Sequence, residues 1–203
     1  PRTDGTVSFG VWPGYETYVE TEGTAVRAAI LPFAAASEGA VDAMGRIHLG
    51  DGALPEIRTF DDAGNLDRIA RWSAPTLDAD PVIAALREVA VAEIDGGDAR
   101  RFVEAQYDAL PEGRKLPAFV QIRSGWDGEL WIQSFALPGA TTVRWDVLDR
   151  DGVHRATVAV PMGLNTTHFG EDFLLGTTRN ALDVEQVVRY DLDRASEAAS
   201  SDR

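Results

Sequence analysis

The side chains able to do chemistry are few and scattered. Three histidines stand at His48, His154 and His168. No two share the close spacing of a metal pair such as His-x-x-x-His. His48 alternates with Ile47 and Leu49 in a period-two stretch, so it reads as a residue packed between sheets rather than a ligand. His154 follows an Asp151-Gly152 turn and is expected at the surface. His168 falls where a strand begins and is the histidine best placed to touch a ligand. Two acidic turns, Asp61-Asp62-Ala63-Gly64-Asn65 and Asp149-Arg150-Asp151-Gly152, resemble fragments of calcium loops. Calcium needs six to eight oxygens and no EF-hand pattern is present, so hairpin geometry explains these turns better. Gly170-Glu171-Asp172 offers two carboxylates, but neighbours on a strand point to opposite faces. That stretch reads as a turn, not an acid–base pair. Asn165-Thr166-Thr167 matches a glycosylation sequon and reads as a loop. There is no Gly-x-Ser-x-Gly elbow, phosphate-binding glycine loop or His-Glu-x-x-His. Of the five tryptophans, Trp131 and Trp145 lie on strands as packing anchors, Trp12 beside Pro13-Gly14, and Trp126 in a hairpin turn. The last two are freer to meet a ligand.

These residues are carried by a repeat of about 40 residues. Gly45-Arg46-Ile47-His48-Leu49-Gly50 and Pro55-Glu56-Ile57-Arg58-Thr59-Phe60 are followed by the turn Asp61-Asp62-Ala63-Gly64. The template recurs upstream as Gly5 to Gly10 and Tyr15 to Val19. Downstream it recurs as Gly128 to Ile132 with Arg144 to Leu148, and as Asp172 to Gly176 with Val187 to Leu192. Each copy reads as short alternating strands joined by turns whose glycines supply positive φ. Complete copies hold four antiparallel strands, the pattern of a β-propeller blade. The expected fold is all-β, with about 3.5 four-stranded blades of a probable six: 5–32, entered at its second strand, 33–72, 117–160 and 163–192, the last with three strands. A polar tail, 193–203, follows. Fewer than four blades cannot close a ring, so the chain is expected to be the C-terminal part of a longer one.

Residues 73–116 break the period and read as a helical insertion. Asp80 is expected to cap a first helix with Pro81 at its first position. Val82, Ile83, Leu86, Val89 and Ala90 form its apolar stripe, and Gly96-Gly97 ends it. Asp98 is expected to cap a second helix bearing Phe102, Tyr107 and Leu110. An insertion between the last strand of one unit and the first of the next lies on the face of the second-to-third strand loops, and is placed to cover it.

Composition narrows the partners. The chain carries 33 acidic against 19 basic residues, a net charge of -14, and no cysteine. That charge argues against nucleic acid and anionic membrane as partners. No disulfide framework or thiolate zinc site is available. The longest apolar run, Ala28 to Ala36, is broken by Pro32 and falls far short of the ~18 residues of a membrane span.

Pro32-Phe33, Gly45-Arg46-Ile47-His48, Leu116-Pro117-Ala118-Phe119, Gly128-Glu129-Leu130-Trp131-Ile132, Trp145-Asp146-Val147-Leu148-Asp149 and Asp183-Val184-Glu185-Gln186-Val187-Val188-Arg189-Tyr190 resemble the C-terminal half of bacterial six-bladed β-propeller proteins of the NHL-like kind. The resemblance spans residues 5–192. It implies further blades upstream and an extracytoplasmic setting, periplasmic or lipid-anchored. It carries over no catalytic residue. The reading that follows is a non-enzymatic module binding a small molecule or protein. Its face would comprise the insertion and the loops at 10–14, 50–55, 135–141 and 177–181, with Trp12, Asp51, Arg123 and His168 as ligand-binding residues. The alternative is a calcium-dependent hydrolase or lyase with a central-channel site, like the gluconolactonase or paraoxonase propellers, drawing on Asp42, Glu171 and Asp172. No metal site is assigned, and calcium is the cofactor that alternative would bring.

Overall fold

A computed structural model of the protein describes residues 6–193. Gly5 and the tail from Arg194 onward lie outside the described residues. The molecule is mostly β: four antiparallel sheets follow one another along the chain, with two helices between the second and third. Sheet one is the hairpin β1 (Thr17–Glu22) and β2 (Ala25–Ile30). Sheet two holds β3 (Ser37–Val41), β4 (Ile47–Asp51), β5 (Glu56–Phe60) and β6 (Leu66–Arg71) in sequence order. The helices α1 (Asp80–Ala92) and α2 (Gly97–Asp108) come next. Sheet three holds β7 (Gln121–Ser124), β8 (Leu130–Gln133), β9 (Thr142–Leu148) and β10 (His154–Pro161). Sheet four holds β11 (Asn165–Phe169), β12 (Phe173–Arg179) and β13 (Glu185–Asp191).

The repeat is therefore real as a run of meanders, with one correction. Residues 6–16, expected to begin with a second strand, form no strand. They cross instead onto sheet two. The rings of Phe9 and Trp12 meet Phe60 edge-on, at 5.7 and 6.5 Å between centroids. The Pro13 carbonyl accepts the Ser37 amide. Burial of the Phe60 ring against these aromatics replaces the sheet pairing that the sequence pattern promised.

Turn chemistry repeats from sheet to sheet. Asp61 Oδ1 accepts the amides of Ala63 and Asn65 at 3.0 and 2.8 Å, and Asp149 Oδ1 those of Asp151 and Val153, both at 2.9 Å. Asn180 does the same for Leu182 and Val184. Such side-chain turns fix a hairpin locally. Gly64 and Gly152 close two of them with φ of 86° and 79°, which only glycine adopts without strain. Gly152 is doubly constrained, since a Cβ there would come within 2.9 Å of the Ala70 Cβ on sheet two.

Alternating strands bury one apolar cluster between sheets two and three and another between sheets three and four. Ile57, Ala70 and Trp72 of sheet two and its exit pack against Phe119, Ile122, Leu130, Ile132 and Leu148. Trp131, Val143, Trp145, Val147 and Val160 of sheet three pack against Phe169 and Leu174 of sheet four. The first strands β3 and β7 lie side by side, within 8 Å between Cα atoms along their contact. No other pair of strands from different sheets approaches so extensively among the described residues.

Both helix starts differ from expectation. Ala79 is the cap residue of α1, Asp80 and Pro81 fall in its first turn, and no side chain caps it. Asp80 there acts on the helix dipole rather than on an amide. Gly96, at φ 111°, precedes α2, and Asp98 lies inside its first turn, paired with Arg101. Val82, Ile83 and Leu86 pack on Phe33, Ala79 and Leu116, whereas Val89 is more than half exposed. The insertion stem is closed by the Leu116 amide on the Leu77 carbonyl and the Ala79 amide on that of Arg114. Phe102 of α2 meets Tyr18 of β1, and Arg114 pairs with Glu16. The opposite face of the hairpin stays exposed, with Val19, Val26 and Ile30 all more than half accessible. Neither helix is long and apolar enough to cross a membrane.

Candidate functional site

Two of the four expected ligand residues meet. Trp12, flanked by Val11 and Pro13, shares a cleft of about 170 Å³ with Asp51, Leu54, Glu56 and Arg58. The parts arrive from three directions. Trp12 is pinned by its indole N–H on the Phe9 carbonyl at 2.8 Å and by the Phe60 edge. Asp51 ends β4, where its Oδ1 accepts the Ala53 amide at 3.0 Å and shapes the β4–β5 loop. That loop is held to the lead-in of sheet three, because the Gly52 carbonyl accepts the amides of Ala118 and Phe119. Glu56 and Arg58 stand two apart on β5, on one face of the sheet. Arg58 places its guanidinium 5.5 Å from the centre of the Trp12 ring and donates to Glu56 at 3.0 Å. The bond from Arg58 holds the Glu56 carboxyl below its ordinary range; burial opposes this, and Arg71 adds to the lowering. The cleft thus offers an aromatic and aliphatic floor with fixed charges of both signs.

Arg123 and His168 do not join this cleft. Arg123 is exposed on β7 and acts on Glu38 of the neighbouring strand β3. Burial pushes the Glu38 carboxyl up, against the opposing pull of the Tyr15 hydroxyl and the Arg123 charge. Arg123 is thus a counter-charge between two first strands. His168 lies inside β11 next to its last residue, not at the strand's start, with its ring 5.6 Å from that of Phe173. The loop expected at 177–181 is shifted too, since β12 runs to Arg179 and the connection begins at Asn180.

The most ordered polar constellation in sheet two is internal. Asp42 in the β3–β4 turn accepts the amides of Met44 and Arg46 at Oδ1. Its Oδ2 accepts Arg46 Nε at 2.7 Å and lies 3.3 Å from His48 Nε2. His48 Nδ1 is 3.0 Å from the Thr59 hydroxyl. The order Thr, His, Asp is that of a nucleophilic triad, but His48 and Thr59 are 0% and 1% exposed, so no substrate reaches them. The same register position in sheet three holds the apolar pair Trp131 and Val147. The polar group is therefore a packing solution, as His48 was expected to be. It also removes Asp42 from the channel chemistry proposed for it, because its oxygens are already taken.

This network predicts a pH response. Burial lowers the His48 pKa from its ordinary value; Asp42 opposes this, and the charges of Arg46 and Arg68 reinforce it. The unfolded chain therefore takes up a proton below about pH 6.5 that the fold refuses. Stability is fully present above that pH and falls as pH drops, by up to about 1.4 kcal/mol per unit. Urea midpoints for His48→Gln between pH 7.5 and 5.5 are expected to vary less than wild type. An equal slope in the variant would assign the effect elsewhere.

The remaining candidates resolve into local structure. His154 is exposed on β10, as expected, with Nε2 3.0 Å from Asp146 Oδ1, which also accepts from Arg144 and Thr157. Glu171 and Asp172 are exposed in the β11–β12 turn, with Asp172 3.6 Å from Arg189. Trp126 is half exposed in the β7–β8 turn, as expected. Among the described residues, no three histidine or carboxylate side chains converge as a metal-binding group. Sequence reasoning missed Glu56 and Arg58. The signal was available in the i, i+2 charges on β5 and the opposed Arg71. Compared with known proteins, the chain matches no family model and no curated protein.

Proposed function

We propose that the four sheets are successive blades of a β-propeller and that the chain is a non-enzymatic module binding a small molecule or protein. Binding occurs through the face where the second-to-third strand loops meet the helical insertion. One observation carries this reading: segments from two different repeat units, 6–16 and 50–55, converge to build the Trp12–Asp51 cleft. The insertion supports it by packing Leu116 and Leu86 near Phe135 of the β8–β9 loop. The close approach of the first strands β3 and β7, one from each four-stranded sheet, supports the blade reading. An extracytoplasmic setting follows from the family resemblance and is part of the proposal.

The test is partner retention on the immobilised chain. Wild type and an exposed control, Glu185→Gln, are expected to retain the same partner. Trp12→Ala with Asp51→Ala is expected to retain it at least tenfold less while keeping the wild-type circular dichroism. Equal retention by that double variant would overturn the assignment of this face.

A further inference from the structure

A second cleft opens where the stem of the insertion leans on the β8–β9 loop. It has a volume of about 230 Å³, smaller than a drug-sized pocket. Leu77 and Leu116 from the stem form one wall, and Phe135, Leu137 and Ala140 from the loop form the other. The lining includes no acidic residue, although the chain as a whole carries -14. Arg144 is its one charged residue. Arg144 uses Nε and Nη2 on Asp146 Oδ1, at 3.2 and 2.7 Å, and its Nη1 has no hydrogen bond among the described residues. Asp146 Oδ1 is shared with His154 and Thr157, so Asp146 is not dependent on Arg144 alone. The guanidinium side chain is 38% exposed and free to accept a second anion.

We propose that this cleft binds a small apolar molecule bearing one carboxylate, in the size class of an arylacetic or branched alkanoic acid. The apolar body is released from water against the leucine and phenylalanine walls. The carboxylate meets the open edge of Arg144, a planar donor suited to that group. This inference rests on the reading that the insertion face binds ligands, and places a second, chemically distinct site on it.

The probes are phenylacetate and its neutral isostere phenylacetamide, titrated into the full chain by amide NMR. Shifts are expected to centre on Leu77, Ala118, Leu137 and Ala140. Phenylacetate is expected to bind in the millimolar range, at least fivefold more tightly than the amide. Ala140→Phe, which fills the cleft, is expected to abolish both. Arg144→Gln leaves the walls intact and is expected to bring the acid down to the affinity of the amide. Equal affinities in wild type, or undiminished acid binding in Ala140→Phe, would overturn the proposal. Trp12 does not line this cleft. Failure here therefore leaves the partner-retention test standing, and failure there leaves this titration standing.

Discussion

Asp42→Ala is expected to destabilise the protein by about 3–5 kcal/mol, the cost of stripping one partner from a buried ion pair. The Asp42 side chain is fully enclosed, while Arg46 keeps 21% of its side chain exposed. The substitution leaves a guanidinium, an imidazole and two turn amides without their acceptor. Arg46 Nη2 is already buried with no hydrogen-bond partner among the described residues, so the cation has little to fall back on. Asp42→Asn keeps an acceptor for the turn amides and removes only the charge, so it is expected to cost less, about 1–3 kcal/mol. Acid should act in the same direction as Asp42→Ala. Burial works to raise the Asp42 carboxyl, but the bonds from Arg46, His48 and Met44 outweigh it and hold the pKa below its ordinary value. That contribution is present above about pH 4 and is lost as pH falls through the folded value. Urea unfolding of the three proteins at pH 7 checks the order; equal midpoints for wild type and Asp42→Ala would refute it.

Trp131→Ala is expected to be about as damaging, at about 3–5 kcal/mol for a large aromatic removed from a packed core. The residue is 1% exposed. Its ring stacks at a tilt on Phe169, 4.8 Å between centroids, and so ties sheet three to sheet four. Gly125 is part of the same fit, since a Cβ there would lie 2.6 Å from the indole. No small side chain refills that space from either sheet. Trp131→Phe retains the ring contact and should lose much less. Chemical denaturation with tryptophan-independent detection would check both. A loss under about 1 kcal/mol for the alanine variant would show that the two sheets do not share one cooperative core.

Much of this organisation is written locally. The alternation in Ile57 and Thr59 and the Asp-rich turns are short-range signals, and they located the strands of sheets two and three because each hairpin is closed by its own residues. Trp131 and Trp145 as packing anchors follow from the same logic. What local pattern could not reveal is which surface a segment chooses when its strand partner is missing. Val7, Ser8 and Phe9 alternate like a strand, yet Phe9 finds Phe60 and the segment crosses over. Long-range charge pairs were hidden for a related reason. Arg123 is distant in sequence from Glu38, and only the packing of β7 beside β3 makes one the counter-charge of the other. The helix caps failed because Asp80 and Asp98 each sit one or more residues inside the helix, where the chain geometry assigns capping to Ala79 and Gly96.

The two-stranded β1–β2 hairpin has a thermodynamic consequence. Two strands alone are marginal in water, and one face of this pair has no cover among the described residues. Its amides therefore belong to the part of the molecule that opens most readily, and those of sheets two and three to the part that opens least. Trp12 bridges that gradient, being joined in sequence to β1 and in space to Phe60. A molecule held in its cleft ties the labile hairpin to the protected interior, so occupancy should be reported at a distance as slower amide exchange along β1.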